Sequence, residues 1–162
     1  MEFVIEMKKI DAVDLNILKV MYRDSRLSNK DLATKLDIAP STSLERVKRL
    51  HQENILLSYN AEVDFKSLGI NLQAMASVSL DSHTPEIING FRDDTLKLRE
   101  VISLFHMGGE NDFQVHIAVS DVEHLRNFIY DAFTSRKEVR HVETALVYEY
   151  CRSDQLPYFE DE

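Results

Sequence analysis

Hydrophobic positions recur along the chain with two different periods, and the period changes near residue 70. Up to residue 56 they recur every three or four residues, as in amphipathic helices. From residue 71 onward, segments that alternate apolar and polar residues are interspersed with further helical runs. The pattern predicts a helical domain over residues 8–58, a linking strand and turn over 59–70, a second domain over 71–152, and an acidic tail over 153–162.

Three helices are predicted in the first domain from their end signals. Asp11 and Ser28 are suitable N-caps for the first two helices, and Pro40 suits the first turn of the third. The first helix is predicted to end near Asp24, and Asn54 stands where a left-handed residue would close the third helix. The second and third helices have the spacing of a helix-turn-helix, in which the second helix enters a DNA major groove. The extended apolar segment that follows would form a wing or a linking strand.

The outer face of the third helix holds the candidate DNA-binding residues. Steps of about 100° per residue place polar and basic side chains opposite the apolar face. The candidates are Ser41, Thr42, Glu45, Arg46, Lys48 and Arg49. The first three would set sequence preference, with Glu45 accepting from a cytosine amino group, while Lys48 and Arg49 would contact phosphates or guanine edges. The alternative is an ordinary helical hairpin with a solvated outer face.

The second domain is predicted to contain four strands and two helices. The strands are predicted over residues 72–80, 101–107, 113–119 and 142–150. Thr84 and Pro85 begin a helix that is predicted to end near Leu98, and Asp121 caps a second helix. The order β-α-β-β-α-β is that of a ferredoxin-like fold, so the chain is assigned to the α+β class.

One face of this sheet is left open if both helices lie on the other face. Its residues are mixed in character rather than charged, which fits a covered surface better than a solvated one. The simplest cover is a second copy of the same sheet, so the smallest folded species is expected to be a dimer. The predicted open face comprises Gln73, Met75, Ser77, Ser79, Gln114, His116 and Ala118.

Charge is divided unevenly between the two predicted domains. The chain has a net charge of −9, of which residues 1–60 contribute +1 and residues 61–162 contribute −10. We therefore expect only the first domain to present a basic face to DNA, and its small patch favours binding as a dimer. The single cysteine, Cys151, excludes an internal disulfide and fits a reducing cytoplasm. No apolar run is long enough to cross a membrane and no secretory signal is seen, so a cytoplasmic protein is expected.

Histidine and acidic residues leave further hypotheses open. His106 and His116 lie on neighbouring predicted strands and are expected to face each other, either as a polar pair or, with a third ligand, as a metal site. Asp112 and His116 would form an acid–base pair if the domain were an enzyme, but no nucleophile, phosphate loop or metal-ligand set accompanies them. We expect no catalysis, no metal and no cofactor. A sensing module that binds a small molecule but not DNA is a third class.

Motifs in both domains, taken in order, carry a resemblance that spans nearly all of residues 9–157. The first helix contributes IDAVDLNILKVMYRDSRLS and the helix-turn-helix contributes DLATKLDIAPSTSLERVKRL. The second domain contributes FHMGGENDF, with a G-x-x-D turn, and Leu156-Pro157 follows near the end. Together these motifs resemble the Lrp/AsnC family (leucine-responsive regulatory protein/asparagine-synthase regulator) of prokaryotic transcription factors.

The resemblance implies a winged helix-turn-helix, a linking strand, and a C-terminal domain that dimerises through its sheets, with dimers assembling into octamers. It also implies an amino-acid effector bound between C-terminal domains near the G-x-x-D turn. Backbone N–H groups at the two glycines would hold the carboxylate, and Asp112 the ammonium group. Alternatively, the glycines only satisfy turn geometry and Asp112 only caps the turn. The candidate effector-binding residues are Met107, Gly108, Gly109, Glu110, Asn111 and Asp112.

Four residues of the helix-turn-helix depart from the family pattern. Ala39 stands where a capping serine is usual, and Asn54 where glycine is usual. Glu45 replaces a commonly basic residue. Ser43 lies on the buried face, where an apolar residue is common, and we expect its hydroxyl to bond back to the carbonyl of Ala39. These changes bear on the operator sequence rather than on the fold.

Overall fold

The computed structural model describes residues 10–158 and divides into two units. Residues up to Glu62, together with the segment that begins at Cys151, form the helical unit, and Val63–Tyr150 form the sheet unit. The predicted start of the first domain at residue 8 and the last four residues of the predicted tail lie outside the described residues.

The helical unit contains the three predicted helices, with the predicted end signals. The side chain of Asp11 accepts from the backbone amides of Val13 and Asp14, and that of Ser28 from the amide of Asp31. Asn54 adopts the expected left-handed conformation, with φ of 53°. The helices are α1 (Ala12–Arg23), α2 (Asn29–Leu36) and α3 (Pro40–Gln52). Their buried core consists of Ile17, Met21, Leu32 and Leu50.

The segment predicted to form a wing or a linking strand has no regular secondary structure over residues 57–64. It pairs with no strand within residues 10–158. The turn that follows is present as a 3₁₀ helix, Phe65–Leu68, which Asp64 caps through the amide of Lys66. Gly69 closes it with φ of 80°, a left-handed conformation that favours glycine.

The segment after Cys151 packs back against α1 within the helical unit. The guanidinium group of Arg152 lies 4.6 Å from the ring centroid of Tyr22. Arg23 Nη2 donates to the side-chain oxygen of Gln155 at 2.9 Å. The described part of the predicted tail therefore contributes contacts to the first helix.

The sheet unit has four antiparallel strands in the order β2-β3-β1-β4, which confirms the predicted ferredoxin-like α+β fold. The strands are β1 (Leu72–Leu80), β2 (Val101–His106), β3 (Phe113–Val119) and β4 (Val139–Val147). The helices are α4 (Pro85–Thr95) and α5 (Val122–Ile129), the latter continued by a π-helical turn, Tyr130–Thr134.

The predicted bounds of the fourth strand and of the first helix of this unit are wrong. The fourth strand begins at Val139 rather than Val142 and ends at Val147, because it pairs along the whole end of β1 and reaches Leu80 through a bulge. The first helix of the unit ends at Thr95 rather than Leu98. Lys97 and Leu98 donate to carbonyls three residues back, so the chain tightens into turns there.

Alternate residues of β1 and β3 are buried on one face of the sheet against α4 and α5. Phe91, Phe113 and Phe133 are the largest fully buried side chains of this core. The opposite face carries no helix of the unit, and we call it the open sheet face. The strand register places on it Gln73, Met75 and Ser77 of β1 and their partners Ala118, His116 and Gln114 of β3.

Candidate nucleic-acid interface and ligand-binding hairpin

The exposed stripe of α3 is formed by Ser41, Leu44, Glu45 and Lys48, which are spaced as one side of a helix. Leu44 is 59% exposed although it is apolar. The candidates predicted from the sequence do not include it, because they were restricted to polar and basic residues. Its spacing from Ser41 and Lys48 is the signal that identifies it. Thr42 is half-buried beside this stripe.

Arg46 and Arg49 are held against α1 rather than projecting from the exposed stripe. Arg46 Nη1 lies 3.0 Å from Asp14 Oδ1 and also pairs with Asp11, and Arg49 Nη2 pairs with Asp14 Oδ2. The Asp14 carboxylate is fully buried. The expected projection of Arg49 from the outer face is therefore wrong, because a buried carboxylate 35 positions earlier binds it. Contact of either arginine with DNA stays a prediction.

This cluster of two carboxylates and two guanidinium groups carries little net charge. Hydrogen bonding from Arg46, followed by that from the Asp14 amide, lowers the pKa of Asp11 to about 2. The Asp11 carboxylate is thus a negatively charged partner of Arg46 at neutral pH. The exposed stripe itself contains one acidic and one basic residue, Glu45 and Lys48. The interface has a smaller positive charge than the sequence count suggested.

The first turn of α3 differs from expectation at Ser43. Its hydroxyl is buried and has no hydrogen-bond partner among the described residues. The predicted bond to the carbonyl of Ala39 is not made, and that carbonyl accepts from the backbone amide of Ser43 at 3.0 Å. Ala39 is the N-cap and supplies no side-chain hydrogen bond, as expected.

Asp112 connects the hairpin between β2 and β3 with the end of β1. Its Oδ2 accepts from the amide of Leu80 at 2.7 Å, and its Oδ1 lies 2.7 Å from His83 Nε2. The side chain is 12% exposed. Neither partner belongs to the turn. The alternative in which Asp112 only caps the turn therefore does not account for these two contacts. Sequence reasoning missed His83, since no local pattern connects residues 29 positions apart.

The remaining hairpin residues form an exposed loop above this buried carboxylate. Asn111 Oδ1 accepts from Ser79 Oγ at 2.8 Å, while Met107 and Glu110 are exposed. A Cβ atom at Gly108 or Gly109 would meet no atom within 4 Å, and neither residue has a left-handed φ. The fold of the chain therefore does not itself require glycine at these two positions.

The predicted histidine pair is wrong. His106 pairs with Phe113 and stacks on its ring, whereas His116 pairs with Ser103, so the two histidines lie on opposite faces of the sheet. The register is continuous from Ser103 to His106, and the bulge between Val101 and Ser103 lies beyond it. His116 Nε2 lies 2.8 Å from Gln73 Oε1, and burial lowers the pKa of His116.

No cluster of three or more potential metal ligands occurs within residues 10–158. The hypothesis of an acid–base pair would require Asp112 to pair with His116. Asp112 instead pairs with His83, and His116 lies against Gln73. Within the same described range, no helix is both long and apolar enough to cross a membrane.

Known protein families match both units. Residues 10–56 match the family model of a winged helix-turn-helix DNA-binding domain. Residues 73–156 match that of the Lrp/AsnC ligand-binding domain. The matched ranges contain the helix-turn-helix and the hairpin described above.

Related proteins and structures extend over most of the chain. The HTH-type transcriptional regulator AldR of Mycobacterium tuberculosis is 33% identical over 89% of this chain and 80% of its own length. The leucine-responsive regulatory protein of Escherichia coli is 26% identical over 88% of this chain and 87% of its own. A transcriptional regulator from Neisseria meningitidis, solved as a complex with L-Met, has a TM-score of 0.83 and 27% identity, covering 92% of this chain and 97% of that one. The relatives are transcriptional regulators, and this chain belongs to the Lrp/AsnC family of DNA-binding transcriptional regulators.

Proposed function

We propose that this protein regulates transcription in response to an amino acid, binding DNA as a dimer. In this proposal the amino acid lies at the hairpin formed by residues 107–112, between the sheet units of neighbouring copies. The observation that carries the proposal is the pair Gly108 and Gly109, whose missing side chains the fold does not use. Backbone amides without side chains suit the close approach of a carboxylate.

The ammonium group of the ligand requires a partner, and Asp112 is the nearest carboxylate in the hairpin. One of its oxygens is taken by the Leu80 amide, and the other faces His83, which is 60% exposed. A carboxylate accepts several hydrogen bonds, so an ammonium group would share or replace the contact with His83. This makes His83 a second residue of the proposed site.

The names of relatives support the class of effector. One relative is a leucine-responsive regulator, and a structural neighbour was solved with L-Met. Because this chain belongs to the same family, we propose an amino-acid effector for it, without specifying which amino acid. Binding between copies would favour one arrangement of the recognition helices and thereby change the affinity for DNA.

On the DNA side, we assign base contacts to Ser41, Thr42 and Glu45 and a phosphate contact to Lys48. The support for this assignment is their position on α3, where Ser41, Glu45 and Lys48 are exposed and Thr42 is half-buried. Arg46 and Arg49 would reach phosphates only by loosening their ion pairs with α1. A dimer would place two copies of α3 on a pseudo-palindromic operator. Assembly of dimers into octamers is part of the proposal.

The proposed effector site is tested by thermal unfolding of the full chain with each of the common amino acids. A ligand at a hundredfold excess over its Kd stabilises a protein by about 2.7 kcal/mol. We expect one or a few amino acids to stabilise the wild type. Gly109→Val should fold normally, since a Cβ atom at this position meets no atom within 4 Å, but should lose this stabilisation.

Gly90→Ala is the matched control, because Gly90 is also uncrowded but lies in α4, away from the hairpin. It should retain the response to the amino acid. Equal stabilisation of wild type and Gly109→Val would remove the hairpin from the site. Asp112→Asn is a poorer test, because Asp112 also binds the end of β1.

A further inference from the structure

We infer that Leu44 is a specificity-determining residue that contacts the methyl group of a thymine in each half of the operator. The inference rests on the proposed contact of α3 with DNA and adds a residue that carries no charge and no hydrogen-bonding group. It predicts which base the operator carries at one position of each half-site.

The place of Leu44 on α3 carries the inference. The inner side of the helix is formed by Ser43, Val47 and Leu50, which pack in the helical unit. Leu44 points away from them and is 59% exposed. It lies between Ser41 and Lys48 on the exposed stripe, in the first half of the helix. Residues in the first half of a recognition helix are those that meet base edges.

A single exposed leucine is common on protein surfaces, so exposure alone would indicate nothing. The surroundings of Leu44 distinguish it from a random surface leucine. The two arginines of α3 are tied to Asp14, which leaves a stripe with one acidic and one basic side chain. With little charge at its centre, this stripe would discriminate operators mainly through short-range contacts with bases.

Thymine is the base that such a contact would select. In the major groove each base pair presents hydrogen-bond donors and acceptors, and thymine adds an apolar C5-methyl group. A leucine cannot satisfy the donors or acceptors of the other bases and would leave them without water. The neighbouring Glu45 is suited to a cytosine amino group, so thymine and cytosine are both expected within each half-site.

The test compares thymine with deoxyuridine, which lacks only the methyl group. Duplexes that bind the full-length protein are selected from a random-sequence library, and each thymine of the best half-site is replaced singly by deoxyuridine. For the wild type, one replacement should weaken binding about fourfold, the change expected for burying one methyl-sized group. In Leu44→Ala, the same replacement should have no effect.

Two features keep this comparison specific. Alanine is the best helix former, so Leu44→Ala should preserve α3. Leu57→Ala removes another exposed leucine, 78% exposed and outside α3, and should retain the full effect of deoxyuridine. A loss of equal size in Leu44→Ala, or no thymine whose methyl group affects the wild type, would overturn the inference while DNA binding stands. Failure to select any duplex would overturn both it and the proposed DNA contact.

Discussion

Two buried polar side chains in the helical unit have opposite surroundings. The carboxylate of Asp14 is fully buried and accepts from both Arg46 and Arg49. The hydroxyl of Ser43 is also buried but has no partner within the described chain. Burial of a polar group costs free energy unless a hydrogen bond compensates for it. Asp14 therefore connects α1 with α3, whereas Ser43 lowers the stability of the same unit.

Replacement of Ser43 by alanine should raise the free energy of unfolding by about 1 kcal/mol, since it removes an unsatisfied buried hydroxyl. Denaturant unfolding of the full chain measures this change. Ser41→Ala is the matched control, because Ser41 is exposed on the same helix and gains the same helix propensity. The gain should be larger at position 43 than at position 41. A loss of stability in Ser43→Ala would show that the hydroxyl has a favourable role.

The sequence predicted the faces of residues better than their partners. The helical period placed Ser41, Glu45 and Lys48 on the exposed side of α3 correctly. It did not indicate that Asp14 binds the arginines of α3 or that His83 faces Asp112. A local pattern fixes the direction of a side chain from its own element, but an ion pair depends on how distant elements pack. Leu44 lay outside the candidate set for a different reason, because the candidates were restricted to polar and basic residues.

At the scale of elements, the helix ends of the helical unit were predicted well because their signals are local. Asp11, Ser28 and Asn54 act on backbone groups within a few residues of themselves. The bounds of β4 were wrong because a strand extends as far as its neighbour pairs with it, and that neighbour is β1, about sixty residues earlier. The predicted linking strand had no such neighbour within the described part of the chain.

The start of α3 offers a direct test of a helix signal. Ala39 already has the extended conformation of an N-cap, with φ of −65° and ψ of 141°, but no side-chain acceptor. Ala39→Ser should place a hydroxyl near the amides of Ser41 and Thr42 and stabilise the protein by about 1 kcal/mol. Chemical unfolding checks the change. Ala39→Val, which supplies no acceptor, should give no gain, and equal stabilities of the two variants would contradict the role of the cap.

At the scale of the whole molecule, the open sheet face is the feature that a single chain leaves unexplained. Met75 lies at its centre, opposite His116 on β3 and Ala145 on β4. Phe105 of β2, which pairs with Gln114, is on the same face and is 54% exposed. A mixed surface with exposed apolar side chains favours association, and a symmetric pair of sheets would cover both copies. We therefore expect the dimer to form through this face.

Met75→Arg should convert the dimer into a folded monomer, because pairing the sheets would bury a charge without a partner. Tyr130→Arg is the control, since Tyr130 is 62% exposed on the π-helical turn that follows α5. Sedimentation at micromolar concentration should show a dimer or larger species for the wild type and this control. The circular dichroism of all three proteins should agree. A monomeric wild type would contradict the expected dimer, and a dimeric Met75→Arg would place the association elsewhere. Because two recognition helices on one dimer read two half-sites, Met75→Arg should also lose affinity for paired half-sites while retaining its affinity for a single one.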